Sequence, residues 1–188
     1  MYKEKKYLKI WDKTFQKRNW GKYPPEHLIR FIFKNFKYSN QQEIKILDLG
    51  CGPGANLWFL KREGFNVSGI DSSLTAIELS RKRLSKIKTF QDVNYDLKIG
   101  DFQSLPWKNN YFDLVIDISA IYANTKEVID KTVNEVYRVL KPQGHLYTKL
   151  WGTKSEGFGL GEKISSHTFN KINKGIFVDM GLTTFFDL

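Results

Sequence analysis

The sequence has little cysteine and no long hydrophobic run. Its single cysteine, Cys51, excludes an internal disulfide and a zinc site made from cysteines alone. No apolar run approaches the roughly 18 residues that a membrane-spanning helix needs. No apolar segment follows the charged start Met1–Lys6, so a secretory signal is not expected. From these absences we expect a soluble protein of a reducing, cytoplasmic compartment, with no membrane partner.

The composition indicates one ordinary globular domain. The 188 residues are 41% hydrophobic and 15% aromatic, which is enough for one complete hydrophobic core. Disordered and collagen-like chains have too few apolar residues or a regular glycine period, so both classes are excluded.

The net charge of +10 is concentrated in the N-terminal part. Residues 1–37 hold 11 of the 30 Lys and Arg residues but only 3 of the 20 Asp and Glu residues. Such a basic segment can guide an anionic partner such as nucleic acid. Lys outnumbers Arg by 24 to 6, whereas phosphate and base recognition more often uses Arg. We therefore favour a solvated, lysine-rich helix.

A helical extension is predicted over residues 1–39. A turn with the Pro24-Pro25 pair separates two helices, and Pro25 falls near the first turn of the second one. Apolar side chains recur at helical spacing in the first helix, at Tyr7, Leu8, Trp11 and Phe15.

From residue 40 onward, short apolar segments alternate with helical ones. This order is typical of βαβ units, in which helices cover both faces of a parallel sheet. The predicted fold class is α/β, a doubly wound, mostly parallel Rossmann-like sheet with a helical N-terminal extension. The predicted strands are 44–49, 65–70, 95–99, 112–118 and 144–150, and the predicted helices are 55–63, 73–87 and 126–140.

A glycine-rich turn follows the first predicted strand. Gly50, Gly52 and Gly54 allow the backbone to approach a ligand, and the next helix begins there, where free N–H groups favour an anionic group. Asp71 ends the second strand, 17 residues after Gly54. A carboxylate so placed either binds both ribose hydroxyls or caps a helix. The pattern indicates a cofactor that contains adenosine.

A nicotinamide dinucleotide is the first alternative, because Gly50, Gly52 and Ala55 fit its loose glycine fingerprint. Asp48 argues against it. This carboxylate would repel a diphosphate, but it suits a ligand that carries an amino group. Asp101 adds a further acidic group after the third strand.

Taken in order, these motifs resemble those of class I S-adenosylmethionine-dependent methyltransferases of the small bacterial type. The resemblance covers residues 40–150 and implies S-adenosylmethionine as cofactor and S-adenosylhomocysteine as product. It divides the chain into a lid over residues 1–39 and a cofactor-binding domain over 40–188. The segments that carry it are Ile46-Leu47-Asp48-Leu49-Gly50-Cys51-Gly52-Pro53-Gly54, Gly69-Ile70-Asp71, Gly100-Asp101-Phe102, Phe112-Asp113-Leu114-Val115 and Val139-Leu140-Lys141-Pro142-Gln143-Gly144.

The resemblance implies a role for individual residues around the methionine and ribose parts of the cofactor. Gly50 and Gly52 would pass beneath the methionine part, with Cys51 between them. Asp48 would lie near its ammonium group, directly or through water. Asp71 would accept two charge-assisted hydrogen bonds from the ribose hydroxyls.

Further residues would surround the adenine ring and the methyl group. Ser72 and Leu74 would flank the adenine, and Asp101 would accept a hydrogen bond from its amino group. Phe102 would supply a backbone N–H. Ile118 and Ser119 would border the transferable methyl group. Cys51, Ser72 and Phe102 have an alternative role in which only their backbone contributes.

No catalytic base and no metal site are assigned. A base is needed only for an acceptor that must lose a proton, and Asp117, Tyr122 and Asn124 follow the fourth strand as candidates. Asp117 lies inside that strand, which favours a structural carboxylate, and His27 and His145 are also expected to be structural. Four N-terminal residues either line the acceptor pocket or pack ordinarily, namely Trp11, Trp20, Tyr23 and Arg30.

The tail departs from the family pattern, which continues with a helix and with strands six and seven. After Trp151 the sequence is rich in glycine and offers only short apolar pieces. We expect a chain truncated before those elements, with an exposed apolar edge at strand five that a homodimer would cover.

The favoured function is methyl transfer to a small-molecule acceptor. The alternatives are an RNA methyltransferase and a non-catalytic cofactor-binding protein.

Overall fold

The computed structural model describes residues 4–18, 20–87 and 93–187, with side chains from residue 10 onward. Tyr7 and Leu8, predicted for the apolar face of the first helix, have side chains outside this range. The helices are α1 (Glu4–Lys17), α2 (Glu26–Phe36), α3 (Ala55–Arg62), α4 (Leu74–Leu84) and α5 (Lys126–Val139). The strands are β1 (Lys45–Leu49), β2 (Asn66–Asp71), β3 (Tyr95–Ile99), β4 (Phe112–Ile118), β5 (Leu140–Lys149), β6 (Glu162–Lys163), β7 (Thr168–Asn170) and β8 (Thr183–Thr184).

Strands β1 to β5 form a parallel sheet in the order β3-β2-β1-β4-β5. The predicted α/β, doubly wound Rossmann-like sheet is confirmed. The chain leaves β1 in one direction to reach β2 and β3, and β4 and β5 lie on the other side. Such a reversal leaves a crevice at the carboxyl ends of the central strands, here those of β1, β2 and β4.

Helices cover both faces of the sheet, because the apolar side chains of each strand alternate between them. Residues of α2, α3 and α4 pack on one face around Ile46, Leu114 and Ile116. Helix α5 packs on the other face around Leu47 and Val115. The central strands are therefore buried on both sides, and the polar ends of the strands are left to form a site.

Strand β5 begins earlier than predicted. Leu140 pairs with Phe112, and the register then shifts before Leu114 pairs with His145. Gln143 has a φ of 65° inside the irregular segment. The sequence pattern missed this start because Pro142 and Gly144 indicate a turn, whereas the bulge keeps the strand paired on both sides of it.

The tail folds into a small antiparallel sheet of β6, β7 and β8. Its core is aromatic, with Phe169, Phe177 and Phe185 buried together.

Strand β5 is the last strand of the large sheet in the described part of the chain, and its Leu146 is 40% exposed. An exposed apolar edge at this strand and a homodimer that covers it both stay predictions.

No helix within the described residues is long and apolar enough to cross a lipid bilayer.

Gly54 fixes the distance between α3 and α4. Its φ is +79°, and a Cβ there would lie 2.4 Å from Ser80 Oγ. Gly159 has nearly the same φ, +80°, but open space around it. Both alanine variants strain the backbone by about 1–2 kcal/mol. Only Gly54→Ala also overpacks the interior, so we expect it to lower the melting temperature by about 2–12 °C more than Gly159→Ala. Equal shifts by calorimetry would contradict this role.

Candidate active site

The glycine-rich turn is tied to the end of the neighbouring strand. The N–H groups of Gly50 and Cys51 both donate to the carbonyl of Ile70, at 2.9 and 3.1 Å. Gly50 and Gly52 have positive φ values of 63° and 50°, which favour glycine. A Cβ on Gly50 would lie 2.3 Å from the Cβ of Ala120, so the turn also needs glycine for space.

Asp71 joins this turn to helix α4. One carboxylate oxygen accepts from Gly52 N at 3.0 Å, and the other accepts from Ser73 N at 2.9 Å. Burial raises the pKa of Asp71, and the backbone N–H groups of Ser73 and Gly52 oppose that rise. The carboxylate is therefore held in one orientation at the edge of the crevice.

Asp48, predicted to lie near the ammonium group of the cofactor, lies behind the cavity wall. Its side chain is buried, and both of its oxygens lie 3.3 Å from Asn56 Nδ2. Burial raises its pKa to about 8, and the negative charges of Asp117 and Asp71 add to the rise. Asn56 lines the cavity whereas Asp48 does not. Asn56, which no sequence motif singled out, therefore lies between Asp48 and the cavity.

Strands β3 and β4 supply the opposite wall. Asp101 is exposed beyond β3, and its Oδ1 accepts from Gln103 N at 2.8 Å. The ring of Phe102 reaches to 3.3 Å from the Cβ position of Gly50. Ile118 ends β4, and Ser119 follows it with a φ of 58°. A left-handed serine at this point turns the chain into the cavity wall.

The predicted site residues, apart from Asp48, line one cavity of about 810 Å³. They are Gly50, Cys51, Gly52, Asp71, Ser72, Asp101, Phe102 and Ile118. The thiol of Cys51 is buried and packs near Gly69, so its backbone faces the cavity. Leu74, predicted beside the adenine, does not line the cavity.

Helix α1 lies over the glycine-rich turn. Asp12 Oδ1 accepts from Ser73 Oγ at 2.6 Å and from Thr75 N at 3.0 Å, at the first turn of α4. These hydrogen bonds lower the pKa of Asp12. The attachment places the ring of Phe15 3.5 Å from the Cβ position of Gly52. No sequence pattern predicts this contact, because Asp12 is one of several charged residues on the first predicted helix.

The N-terminal aromatic residues form part of the cavity. Of the two alternatives left open for them, Trp11, Trp20 and Tyr23 follow the first and line the cavity. Arg30 does not line the cavity, and its guanidinium pairs with Glu26 at 2.6 Å, one turn away on α2. That this segment opens and closes as a lid stays a prediction.

The candidate bases are largely engaged elsewhere. Asp117 is buried, and its carboxylate accepts from Ala120 N, Ile121 N and Thr148 Oγ1, so the structural interpretation fits. Burial raises the pKa of Tyr122 to about 12. Asn124 donates to Ile121 O at 3.2 Å. Within the described residues, no group of His, Cys, Asp and Glu is placed to hold a metal ion.

The tail contributes a wall that sequence reasoning missed. Residues scattered along it face the cavity, and they share neither a helical nor a strand period. They are Glu162, Ile164, Asn170, Lys171, Ile176, Met180 and Leu182. Because local patterns report only regular elements, no sequence signal identified them.

The raised pKa of Asp48 predicts a pH-dependent stability. The folded carboxyl, with a pKa of about 8, holds its proton where the unfolded one, at 3.8, has lost it. Stability from this group is complete below about pH 4 and is lost as pH rises toward 8. Asp48→Asn removes the effect, so the stability difference, variant minus wild type, should grow from pH 5 to 8 in urea titrations. Parallel stability profiles would contradict the buried, protonated state.

A domain family described as "Methyltransferase domain" matches residues 46–144, about half of the chain. Human EEF1A lysine methyltransferase 2 is 34% identical over 160 residues, covering 77% of this chain and 66% of the relative. Demethylmenaquinone methyltransferase of Leptospira interrogans is 32% identical over 137 residues, covering 71% and 50%. A sterol methyltransferase of Arabidopsis thaliana shares 32% over 115 residues, covering 61% and 30%. The chain thus spans about a third to two thirds of these relatives.

Solved structures of methyltransferases resemble this chain as well. A SAM-dependent methyltransferase from Methanosarcina mazei superposes with a TM-score of 0.68 at 20% identity, covering 88% of this chain and 79% of that one. A protein from Pyrococcus horikoshii OT3 is 31% identical with a TM-score of 0.55, covering 64% and 53%. At 20% identity the first likeness shows the fold alone. Together with the matched family and the crevice described above, it places this chain among the class I S-adenosylmethionine-dependent methyltransferases.

Proposed function

We propose that the protein transfers a methyl group from S-adenosylmethionine to a small-molecule acceptor. The observation that supports this most is the single cavity in which the glycine-rich turn, Asp71 and Asp101 meet. Its volume of about 810 Å³ is near the upper end of the roughly 300–1,000 Å³ typical of small-molecule sites. A cavity of this size has room for a cofactor and a small acceptor together.

The chemistry of the donor set fits the cofactor. Asp71 is held by two backbone N–H groups and keeps free lone pairs for the ribose hydroxyls. Asp101 has acceptor capacity for the adenine amino group. The methionine part would lie over Gly50 and Gly52, whose lack of side chains leaves its path open. Its ammonium group would face Asn56, with Asp48 behind.

The bound cofactor would supply a methyl group already activated by the sulfonium charge. The protein has to align the acceptor and exclude water. Ile118 and Ser119 form the wall at the end of β4. Phe15 lies over the glycine-rich turn, and Trp11 packs against Phe15. Tyr122 keeps its proton at neutral pH, since its pKa is about 12, so it can orient an acceptor but does not serve as a base.

The two alternatives lead to different observations. An RNA methyltransferase would bind RNA with an affinity that falls steeply as salt rises. A non-catalytic protein would bind the cofactor and turn over no acceptor. The relatives named above are described as acting on a protein lysine, a sterol and demethylmenaquinone. The sterol and demethylmenaquinone relatives are the ones whose acceptors match our proposal.

Asp71→Asn tests the proposed ribose contact. A hydrogen bond to a charged group contributes about 1.5–3 kcal/mol, so the dissociation constant of S-adenosylhomocysteine should rise about 10- to 100-fold. Isothermal titration calorimetry measures it. We expect no binding of NAD to the wild-type protein.

Asp113→Asn is the matched control. Asp113 also accepts from a backbone N–H, that of Lys45 at 2.9 Å, and pairs with Lys141 at 2.7 Å. It lies at the start of β4, at the opposite end of the strand from the cavity. The dissociation constant of S-adenosylhomocysteine for Asp113→Asn should stay within about twofold of the wild-type value, which is a smaller change than the loss of one hydrogen bond causes. A folded Asp71→Asn protein with unchanged affinity would refute the assignment.

Asp48 predicts a second property of cofactor binding. Near pH 7 its carboxyl is protonated, because its pKa is about 8. An ammonium group nearby favours the ionised form and lowers that pKa. Binding of S-adenosylhomocysteine should therefore release protons, seen as a binding enthalpy that depends on the ionisation enthalpy of the buffer. Asp48→Asn should abolish this dependence. The same dependence in the variant would assign the proton to another group.

A further inference from the structure

The cavity continues beyond the residues proposed to hold the cofactor. Two stretches that are far apart in sequence also line it. They are residues 20–25, before α2, and residues 162–182 of the tail, and we call the part of the cavity that they line its outer part. The tail meets the segment after β4, because Trp151 packs against both Tyr122 and Phe177 and Thr184 Oγ1 donates to the carbonyl of Asn124 at 2.7 Å. A second ligand bound there would adjoin the proposed position of the methyl group.

Exposed apolar side chains line the outer part. Trp20 and Tyr23 are 39% and 71% exposed, and Ile164 and Ile176 are 47% and 59% exposed. A single exposed apolar residue is normal on a protein surface. Four that converge on one cavity mark a place where an apolar ligand is buried.

The charges around the outer part compensate each other. Glu162 and Lys171 both line it, and their Oε2 and Nζ atoms lie 3.0 Å apart. In the part of the chain that the structure describes, the other ionised side chains that line the cavity are Asp71 and Asp101, both at the cofactor end. A charged acceptor would therefore lose hydration without gaining an opposite charge, which is costly.

The polar groups nearest the reacting end are neutral. Tyr122 and Asn124 follow the end of β4 and line the cavity. A phenol and an amide can orient an acceptor by hydrogen bonds without requiring that it carry a charge. The chemistry of the outer part is therefore apolar along its sides and neutral and polar at its inner end.

We propose that the acceptor is an uncharged, largely apolar small molecule whose apolar body packs against the exposed apolar residues of the cavity, Trp20, Tyr23, Ile164 and Ile176. This inference rests on the proposed function and adds the chemical class of the acceptor to it. A cationic amine and an anionic acid are the alternatives that the experiment separates.

The test uses the full chain saturated with S-adenosylhomocysteine, so that the cofactor end is filled. Fluorescent N-phenyl-1-naphthylamine, a neutral apolar probe, is displaced by three ligands with the same ring system. These are 1-naphthalenemethanol, 1-naphthoate and 1-naphthylmethylammonium, which are neutral, anionic and cationic. The alcohol should bind about tenfold more tightly than either ion, because the ions lose hydration without compensation.

Two variants of the tail locate the binding. Ile176→Gln removes part of the apolar wall and should weaken binding of the alcohol about fivefold or more. Val178→Gln is the matched control, since Val178 is 38% exposed on the same segment but does not line the cavity. The affinity of Val178→Gln for the alcohol should stay within about twofold of the wild-type value, as expected for a surface substitution.

Several outcomes would overturn the inference. Either ion binding as tightly as the alcohol would show that charge is accepted, and a preference for the ammonium ligand would point to an amine acceptor. Equal weakening by Ile176→Gln and Val178→Gln would move the binding elsewhere. If S-adenosylhomocysteine binds but the alcohol displaces no probe, only the acceptor class fails. If S-adenosylhomocysteine itself does not bind to the wild-type protein, the proposed function fails instead.

Discussion

The hydrogen bonds of the Asp71 carboxylate hold the cofactor end of the molecule together. They join the end of β2 to Gly52 in the turn after β1 and to Ser73 at the start of α4. Asp12 then binds Ser73 from the other side and brings α1 over the same turn. Three stretches that are distant in sequence, at Asp12, at Gly52 and at residues 71–75, thus meet around one buried carboxylate. A change in its position would alter the turn, the helix and the cover above them together.

The carboxyl ends of the central strands concentrate acidic groups in a dry environment. Asp48, Asp71 and Asp117 are all buried, and burial raises the pKa of each. Backbone N–H groups and neutral side chains stabilise them only in part. Ionising Asp48 beside the other two carboxylates is costly, because burial and the repulsion of like charges in a medium of low dielectric both raise its pKa. The cluster is well suited to a ligand that carries a positive charge at this end, whereas the outer part of the cavity is better suited to a neutral one.

The outer cavity depends on packing that no local pattern reports. The aromatic core of the tail, around Phe169 and Phe185, folds the segment back toward the end of the large sheet, and Phe186 donates its N–H to the carbonyl of Trp151 at 2.9 Å. The residues that then face the cavity, such as Ile164 and Ile176, are irregularly spaced. Their roles follow from where the backbone turns, and those turns are fixed by contacts with distant residues.

The sequence alone determined the doubly wound sheet and most of the cofactor end, because the period of its strands and helices and the glycines of one short turn are local properties. Asp71, Asp101 and Phe102 follow predicted strands, so their meeting at one edge could be anticipated. Tertiary structure decided what depends on distant contacts. It attached Asp12 to α4 and made the tail a wall of the cavity. Side-chain partners across tens of residues are set by packing, which a local pattern does not encode.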